Sequence, residues 1–345
     1  MKTNHSESAP GADQNTPTVT VLAGDAVQML ASHSIEPVHA VITDPPYGLT
    51  THTDIAEILS SWLQGHTYCS GQSGYAGNTW DNSVPGPELW RQVGNLLMPG
   101  GFIAAFSAAR TQHLTATALA LAGFEIRDTL HWTYGTGVLR QRDLGTVVRE
   151  QSKDTHLAEL LDGQRAGFKP AHEPIVIARQ HITEDTLTEN VAKFKVGAIR
   201  HARTLNTNSV VTHESGCTSK SCMDNCAVTA KKCGSGTTHL YPGRELPHPS
   251  LPVSKPGRSE RPVSNDGTSH DTVKPLTLMR WLIRALTPPG GVVLDPFLGS
   301  GTTAEAAVLE GRRAIGCELS TEYLPLIEQR LRRVNADYCI RKATS

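Results

Sequence analysis

The sequence predicts an α/β fold built around a largely parallel sheet, and three observations lead to this prediction. From Val19 onward, short apolar segments typical of strands alternate with segments of helical periodicity. Most of the strand-like segments are apolar throughout, as expected for parallel strands that are buried on both faces. One of them runs into a glycine turn and then a helix, which places a nucleotide-like ligand at the carboxyl edge of the sheet.

The predicted elements follow one another in a regular order along the chain. Strands are predicted at 19–23, 39–43, 102–106, 175–178, 291–294 and 313–317. Helices are predicted at 88–97, 111–122, 275–286, 303–310 and 321–334, several of them ending at a glycine. The segment 233–269 interrupts this order because it is rich in Gly, Pro and Ser, and it predicts an extended or mobile loop.

Composition excludes a membrane protein and favours a cytoplasmic one. The chain has 345 residues, 38% of them hydrophobic, and a formal net charge of −1. Its apolar runs are all shorter than the ~18 residues that a membrane-spanning helix needs. The first 17 residues are polar and lack the basic and then apolar design of a signal peptide, so we expect a disordered lead-in at 1–17.

The charge is distributed unevenly along the chain. Residues 193–262 contain 11 Lys or Arg against 4 Asp or Glu, so this segment carries +7 and the remainder −8. A polyanion would encounter one basic segment on an otherwise acidic protein, which is typical of a local nucleic-acid contact. The alternative is a solvated, flexible insertion.

The first motif with chemical content is Asp295-Pro-Phe-Leu-Gly-Ser-Gly-Thr-Thr303, which follows an apolar strand. Its glycines let a ligand approach the backbone closely. A phosphate-binding P-loop would have Lys in place of Thr302, and a full Gly-x-Gly-x-x-Gly is absent, so ATP and NAD are disfavoured. Glu318 lies about twenty residues beyond the turn, at the end of the next strand, where a carboxylate suits ribose hydroxyls. Adenosine without a polyphosphate fits this set, and S-adenosylmethionine is such a ligand.

The second motif is Asp44-Pro45-Pro46-Tyr47, again at the end of a predicted strand. The two prolines remove two N–H donors and leave carbonyl acceptors, while the aspartate adds a carboxylate and the tyrosine an aromatic face. Such a pocket suits a planar ring that carries an exocyclic amine. The alternative is a proline turn that only ends a strand.

Together the two motifs, with His270-Asp-Thr-Val-Lys-Pro275 before the second, resemble the β-class amino-methyltransferases of DNA, phage and prophage type. The resemblance covers roughly residues 18–335 and implies a Rossmann-like methyltransferase fold with a mixed, mostly parallel sheet. The implied fold is circularly permuted, and a target-recognition segment lies between its catalytic and cofactor-binding halves. The implied organisation is a lead-in 1–17, a catalytic half 18–192, a basic, Cys-containing target-recognition insertion 193–269, a cofactor-binding half 270–335 and a tail 336–345.

The resemblance also implies roles for individual residues. Asp44, Pro45, Pro46 and Tyr47 would be catalytic, with Asp44 also near the cofactor, and Glu318 would take the ribose hydroxyls. Asp25 would contact the adenine end of S-adenosylmethionine, although it could equally cap a helix. The remaining implied cofactor-binding residues are His270, Thr272, Lys274, Asp295, Phe297, Gly299, Ser300, Gly301 and Thr302. Among them, His270, Thr272 and Lys274 would close over the methionine part of S-adenosylmethionine. The alternative for His270 is an ordinary loop histidine without a role in binding.

The reaction implied is methylation of the exocyclic amine of a base flipped out of double-stranded DNA. An aspartate at the first motif position favours adenine N6, since cytosine-N4 enzymes usually carry serine there. Cytosine N4, RNA or a protein glutamine remain alternative substrates, and a zinc-dependent DNA-binding module on an inactive scaffold is a further alternative. The sequence leaves open whether the protein forms a homodimer and whether it works beside a cognate restriction nuclease.

Four of the seven cysteines cluster between 217 and 233. His213, Cys217, Cys222 and Cys226 supply the four soft ligands of a tetrahedral zinc site, with Cys233 as an alternative ligand. Free thiols in a loop are the competing interpretation. A structural zinc here would shape the recognition segment, and elemental analysis that finds no stoichiometric zinc would exclude it.

Overall fold

A computed structural model describes residues 18–342 except for gaps at 51–53, 73, 75–76, 78, 136–141, 153, 169–170 and 201–249. The expected lead-in 1–17 and most of the expected insertion 193–269 therefore lie outside the described residues, together with all five candidate zinc ligands.

The described part of the chain forms one nine-stranded sheet. Its strands are β1 Val19–Ala23, β2 Val38–Thr43, β3 Leu97–Phe106, β4 Glu125–Thr133, β5 His172–Arg179, β6 Ser250–Pro252, β7 Val292–Asp295, β8 Arg313–Glu318 and β9 Tyr338–Lys342. The spatial order is β6-β4-β5-β3-β2-β7-β8-β1-β9. Only β5 runs antiparallel to its neighbours β3 and β4, and all other described pairs are parallel. The predicted mixed, mostly parallel sheet is confirmed.

Helices cover both faces of this sheet. They are α1 Ala26–Ser32, α2 Ile55–Leu63, α3 Pro87–Leu96, α4 Gln112–Leu121, α5 Leu144–Gln151, α6 Thr155–Leu160, α7 Leu187–Phe194, α8 Leu276–Leu286, α9 Thr302–Leu309 and α10 Leu324–Arg333. Alternate residues of β2 face opposite layers. Ile42 packs in the core that contains Leu278 of α8, and Val41 in the core that contains Trp90 of α3. None of the helices in the described residues is long and apolar enough to cross a membrane.

Predicted and observed elements differ in several places. Strand β3 begins at Leu97, the last residue of the predicted helix 88–97, and is therefore five residues longer at its start than the predicted strand 102–106. Strand β4 was not predicted, because charged residues break its apolar pattern and most of its side chains are at least partly exposed. The segment 336–345, expected to be a tail, contributes β9, which pairs with β1 at the sheet edge. Strand β6 lies inside the expected loop 233–269.

Five described helices were also not predicted: α1, α2, α5, α6 and α7. Each has only six to nine residues, so the helical period is repeated too few times to stand out in the sequence. Four of them begin at an Asp N-cap whose side chain accepts an amide hydrogen bond, and α7 begins at a Thr capping box. The possible cap at Asp25 was recognised in the sequence, and the other caps are the same kind of signal that could have located α2, α5, α6 and α7.

The sheet brings the two predicted motifs together. Strands β2 and β7 are parallel neighbours, with Ala40 opposite Val293 and Val41 opposite Leu294. Because parallel strands end at the same edge, Asp44 after β2 and Asp295 at the end of β7 lie side by side. From β2 the chain continues to β3 on one side, and from β7 it continues to β8 on the other side. The order of strands therefore reverses between β2 and β7, which is where ligands bind in such sheets.

Candidate active site

A cavity of about 1230 Å³ opens at the carboxyl edge of the sheet. It collects nearly all the predicted catalytic and cofactor-binding residues from both motifs. Those that line it are Asp25, Asp44, Pro45, Pro46, Tyr47, His270, Thr272, Lys274, Asp295, Phe297, Gly299, Ser300, Thr302 and Glu318. Gly301 is the predicted residue that does not line it.

Gly301 instead has a packing function. It begins α9 with φ +86°, and a Cβ atom added to it would lie 3.2 Å from the Cα atom of Ile327 in α10. Glycine therefore permits the left-handed turn and the close approach of the two helices. Gly299, with φ +54°, faces the cavity, where an added Cβ would lie 3.0 Å from Nε2 of His270.

Asp295 ties the two motifs together. Its Oδ1 accepts hydrogen bonds from the Thr43 hydroxyl at 2.6 Å and the Phe297 amide at 3.0 Å. Its Oδ2 accepts one from the Thr303 hydroxyl at 2.5 Å. Burial raises the pKa of Asp295 to about 6, against the opposite effect of these hydrogen bonds. The carboxylate thus fixes the turn after β7 against the end of β2.

Glu318 occupies the corresponding position at the end of β8. Its two carboxylate oxygens accept from the amides of Gly299 at 2.7 Å and Ser320 at 2.8 Å. Burial raises its pKa to about 7. The Leu319 amide also hydrogen-bonds this carboxylate, and because a carboxylate offers about four acceptor positions, the side chain can still accept from a ligand.

Asp25 serves as a helix cap and also lines the cavity. Its carboxylate accepts from the Gln28 amide at 3.1 Å at the beginning of α1. The two interpretations of this residue are therefore compatible, because one oxygen can cap the helix while the other faces the ligand.

Lys274 lies against the first motif, although the resemblance implied a role near the methionine part. Its Nζ forms an ion pair with Asp44 Oδ2 and lies 3.6 Å from Glu173 Oε2. Its side chain is 6% exposed. Burial lowers the pKa of Lys274, but the two carboxylates outweigh this effect and raise it overall. Burial raises the pKa of Asp44, and the lysine opposes that shift.

Tyr47 is fixed by hydrogen bonds at its side-chain hydroxyl and at its backbone amide. Its hydroxyl donates to Asp44 Oδ1 at 2.7 Å and lies 3.2 Å from Glu173 Oε2. Its backbone amide donates to Asp81 Oδ1 at 2.6 Å, and the same oxygen accepts from Gly48 at 3.2 Å. Because the prolines supply no N–H, this buried aspartate fixes the turn through the next two residues.

His270 is neutral and packed between aromatic rings. It stacks on Trp80 with ring centroids 6.1 Å apart and meets Tyr323 edge-on at 4.6 Å. Burial lowers its pKa to about 4. Its Nδ1 accepts from the Thr272 amide at 3.2 Å, which leaves the proton on Nε2, toward Gly299.

Sequence reasoning assigned no function to Glu173, Tyr134, Lys255 or Asp81, yet all four line the cavity. Glu173 Oε1 lies 3.4 Å from the Tyr134 hydroxyl and 3.9 Å from Lys255 Nζ, which sits 4.1 Å above the tyrosine ring. Glu173 directly precedes the buried strand residues 174–178, and a charged residue in that position is a sequence signal that could have identified it.

Within the described ranges, no group of three or more His, Cys, Asp or Glu side chains is arranged to hold a metal ion. The predicted ligands His213, Cys217, Cys222, Cys226 and Cys233 fall in 201–249, outside those ranges. The zinc hypothesis therefore stays a sequence prediction.

Comparison with known proteins agrees with this geometry. Residues 38–329, most of the chain, match the N6/N4 DNA methylase family. The chain belongs to this family. The matched range begins at β2 and extends into α10, so it contains both motifs and the sheet edge between them.

Relatives of this DNA methylase include the type II methyltransferase M.HindIII of Haemophilus influenzae. It is 27% identical over 310 residues, which are 85% of this chain and 87% of that protein. The DNA adenine methyltransferase YhdJ of Escherichia coli is 41% identical over a shorter stretch of 71 residues, 21% of this chain and 24% of that one.

A solved structure shares the fold. The S-adenosylmethionine complex of M1.HpyAVI superimposes with a TM-score of 0.51 at 19% identity, covering 91% of this chain and 98% of the other. The DNA methylase described here thus has a Rossmann-like methyltransferase fold.

Proposed function

We propose that this DNA methylase transfers a methyl group from S-adenosylmethionine to the exocyclic N6 amine of an adenine that is flipped out of double-stranded DNA. One observation carries the proposal. A single cavity joins an acceptor-rich Asp-Pro-Pro-Tyr turn to a glycine turn of the adenosine-binding kind, and Asp295 fixes the two against each other through Thr43.

The glycine-turn half fits S-adenosylmethionine. When bound, this co-substrate supplies an electrophilic methyl group on a cationic sulfur. Asp295 and Glu318 are buried carboxylates, and neither forms an ion pair with a Lys or Arg in the described part of the chain. A cationic ligand would compensate this charge, Glu318 would accept from ribose hydroxyls, and Gly299 and His270 would border the ligand.

The Asp-Pro-Pro-Tyr half fits an amino group on a planar ring. Asp44 and the Pro45 carbonyl would accept both amine hydrogens, and the Tyr47 ring would stack on the base. Accepting both hydrogens directs the nitrogen lone pair toward the methyl group, which is catalysis by positioning and electrostatics. The anchoring of Tyr47 by Asp81 supports this arrangement, because it fixes the turn before substrate binds.

Two findings support adenine N6 over cytosine N4. The first position of the motif is Asp44, which resembles the adenine enzymes of the class. The relative YhdJ, whose name describes a DNA adenine methyltransferase, is 41% identical over its matched stretch. Cytosine N4 is the alternative outcome of the test below.

We also infer the permuted, β-class arrangement, in which the Asp-Pro-Pro-Tyr motif precedes the glycine turn in the chain. The basic insertion 193–269 would then contact phosphates and recognise the target sequence. Since M.HindIII is a type II methyltransferase, a role in restriction-modification is consistent with the resemblance.

The experiment is incubation of the protein with DNA and methyl-labelled S-adenosylmethionine, followed by digestion and nucleoside analysis. Labelled N6-methyladenine supports the proposal, and labelled N4-methylcytosine supports the alternative. Absence of label in DNA, with wild-type cofactor binding retained, would contradict both and favour a binding module.

A further inference from the structure

Glu173 lies next to the proposed catalytic turn, yet neither motif includes it. It stands near the start of β5, 126 residues from Tyr47, and its side chain is 18% exposed. The Tyr47 hydroxyl is 2.7 Å from Asp44 Oδ1 and 3.2 Å from Glu173 Oε2. A tyrosine hydroxyl therefore stands between two carboxylates.

That hydroxyl can connect the two carboxylates but has only one proton. It donates to one of them at a time, while its lone pairs can accept from the other when the other is protonated. Lys274 contacts both carboxylates and so offsets the repulsion between two neighbouring anions. The arrangement Asp44–Tyr47–Glu173 is a continuous hydrogen-bonded chain.

Amine methylation produces a proton that must leave this pocket. As the nitrogen–carbon bond forms, the sulfur–carbon bond breaks and the sulfur keeps the bonding pair, so the positive charge moves to the amine nitrogen. The nitrogen then has to lose one hydrogen as a proton. Asp44 is adjacent, with a side chain as exposed as that of Glu173 (18% each), but a base stacked on Tyr47 would cover Asp44.

The far end of the chain opens to solvent. Glu173 Oε1 lies 3.9 Å from Lys255 Nζ, and the Lys255 side chain is 42% exposed. The Tyr134 hydroxyl, 3.4 Å from the same oxygen, also lines the cavity. A proton that reaches Glu173 can therefore pass to water beside the partly exposed Lys255.

We propose that Asp44, Tyr47 and Glu173 form a proton relay that carries the proton of the methylated amine away from the pocket, with Glu173 as its outlet. Asp44 takes the proton from nitrogen and passes it to the Tyr47 oxygen, as Tyr47 gives its own hydroxyl proton to Glu173. Glu173 releases that proton to water beside Lys255. The relay rests on the proposed amine methylation.

The test compares Glu173→Gln, which keeps the shape but loses the proton acceptor, with Glu125→Gln. Glu125 lies on the adjacent strand β4, is paired with Arg179 at 2.6 Å and is not in contact with the cavity. We expect the single-turnover rate of E173Q to fall about 10²-fold at pH 7, with KM for S-adenosylmethionine within twofold of wild type. The difference between the E173Q and wild-type rates should become smaller as pH rises, because hydroxide can accept the proton in place of the relay. E125Q should follow the wild type.

Two further variants separate a relay from a structural role. Glu173→Asp retains a carboxylate and should recover most of the rate with the wild-type pH profile. The double variant Y47F/E173Q should be no slower than the slower single variant, since both changes interrupt one path. These expectations hold whether or not E173Q is itself less stable.

Either of two results would overturn the relay. The first is an E173Q rate equal to that of the wild type at every pH. The second is a loss of rate in E173Q that does not depend on pH and that adds to the loss caused by Y47F. If instead the wild-type protein methylates no DNA, the proposed function fails and the relay fails with it. The two failures are distinct, because the first requires an active wild type.

Discussion

The two halves of the cavity bury carboxylates in opposite ways. At the end of β2, Asp44 and Glu173 share a lysine, Lys274, and a tyrosine hydroxyl. At the ends of β7 and β8, Asp295 and Glu318 accept hydrogen bonds from hydroxyl and backbone N–H groups, and no Lys or Arg among the described residues forms an ion pair with either. In the first half a lysine opposes the negative charge, whereas the ionised carboxylates of the second half would be stabilised by a cationic ligand.

The carboxylates of the two halves also differ in the function we propose for them. In the Asp44 half, Asp44 faces the proposed reacting amine, and Glu173 lies on the other side of the Tyr47 hydroxyl. In the Asp295 half, one carboxylate fixes a turn and the other is poised near neutral pH to accept a ligand. Four predictions test this division, ordered by expected effect.

Asp44→Ala should lower methyl transfer by about 10³-fold, because it removes the acceptor that positions the amine. Cofactor affinity should change less than threefold, since the Asp295 half is intact. Label transfer and equilibrium binding measure the two effects. Asp128→Ala, which removes an exposed aspartate of β4, is the matched control. Equal activity of D44A and D128A would contradict the catalytic assignment.

Asp295→Ala should lower the free energy of unfolding by about 3 kcal/mol, because it leaves the buried hydroxyls of Thr43 and Thr303 without their acceptor. Urea unfolding measures the change. The control is Asp143→Ala, which removes a partly exposed N-cap of α5 and should cost about 1 kcal/mol. A loss for D295A no larger than for D143A would mean that Asp295 does not hold the turn.

Glu318 should make cofactor binding depend on pH. Because burial raises its pKa to about 7, the free protein keeps this carboxyl protonated below that pH. If ribose hydroxyls bind the ionised form, the Kd for S-adenosylmethionine rises by up to about tenfold per pH unit as pH falls below 7, and levels off above 8. Glu318→Gln, measured in parallel by calorimetry, should lose this part of the dependence. The same slope in E318Q would assign the dependence to another group.

Asp25 should show the smallest effect. Asp25→Ala removes the cap of α1 and should lower the free energy of unfolding by about 1 kcal/mol, whereas Asp25→Asn retains a capping oxygen and should stay within a few tenths. Thermal unfolding distinguishes the two variants. If D25N is as unstable as D25A, then the charge rather than the cap supports this end of the cavity.

Much of the fold could be read from local sequence. Strands β2 and β7 were predictable because they are short, apolar and buried on both faces, and the two motifs follow directly from their ends. Strand β4 was not, because its charged side chains hide the period of two. Strand β9 was not, because an edge strand with exposed polar residues resembles a tail.

The sequence by itself determined that two ligand-binding turns follow buried strands, since strand, turn and glycine signals are local. Only the tertiary structure decided which charges meet there. Lys274 reaches Asp44 across 230 residues, Glu173 reaches Tyr47 across 126, and Asp81 holds Tyr47 across 34. Such contacts depend on how strands from distant parts of the chain are ordered in the sheet, and composition and periodicity do not encode that order.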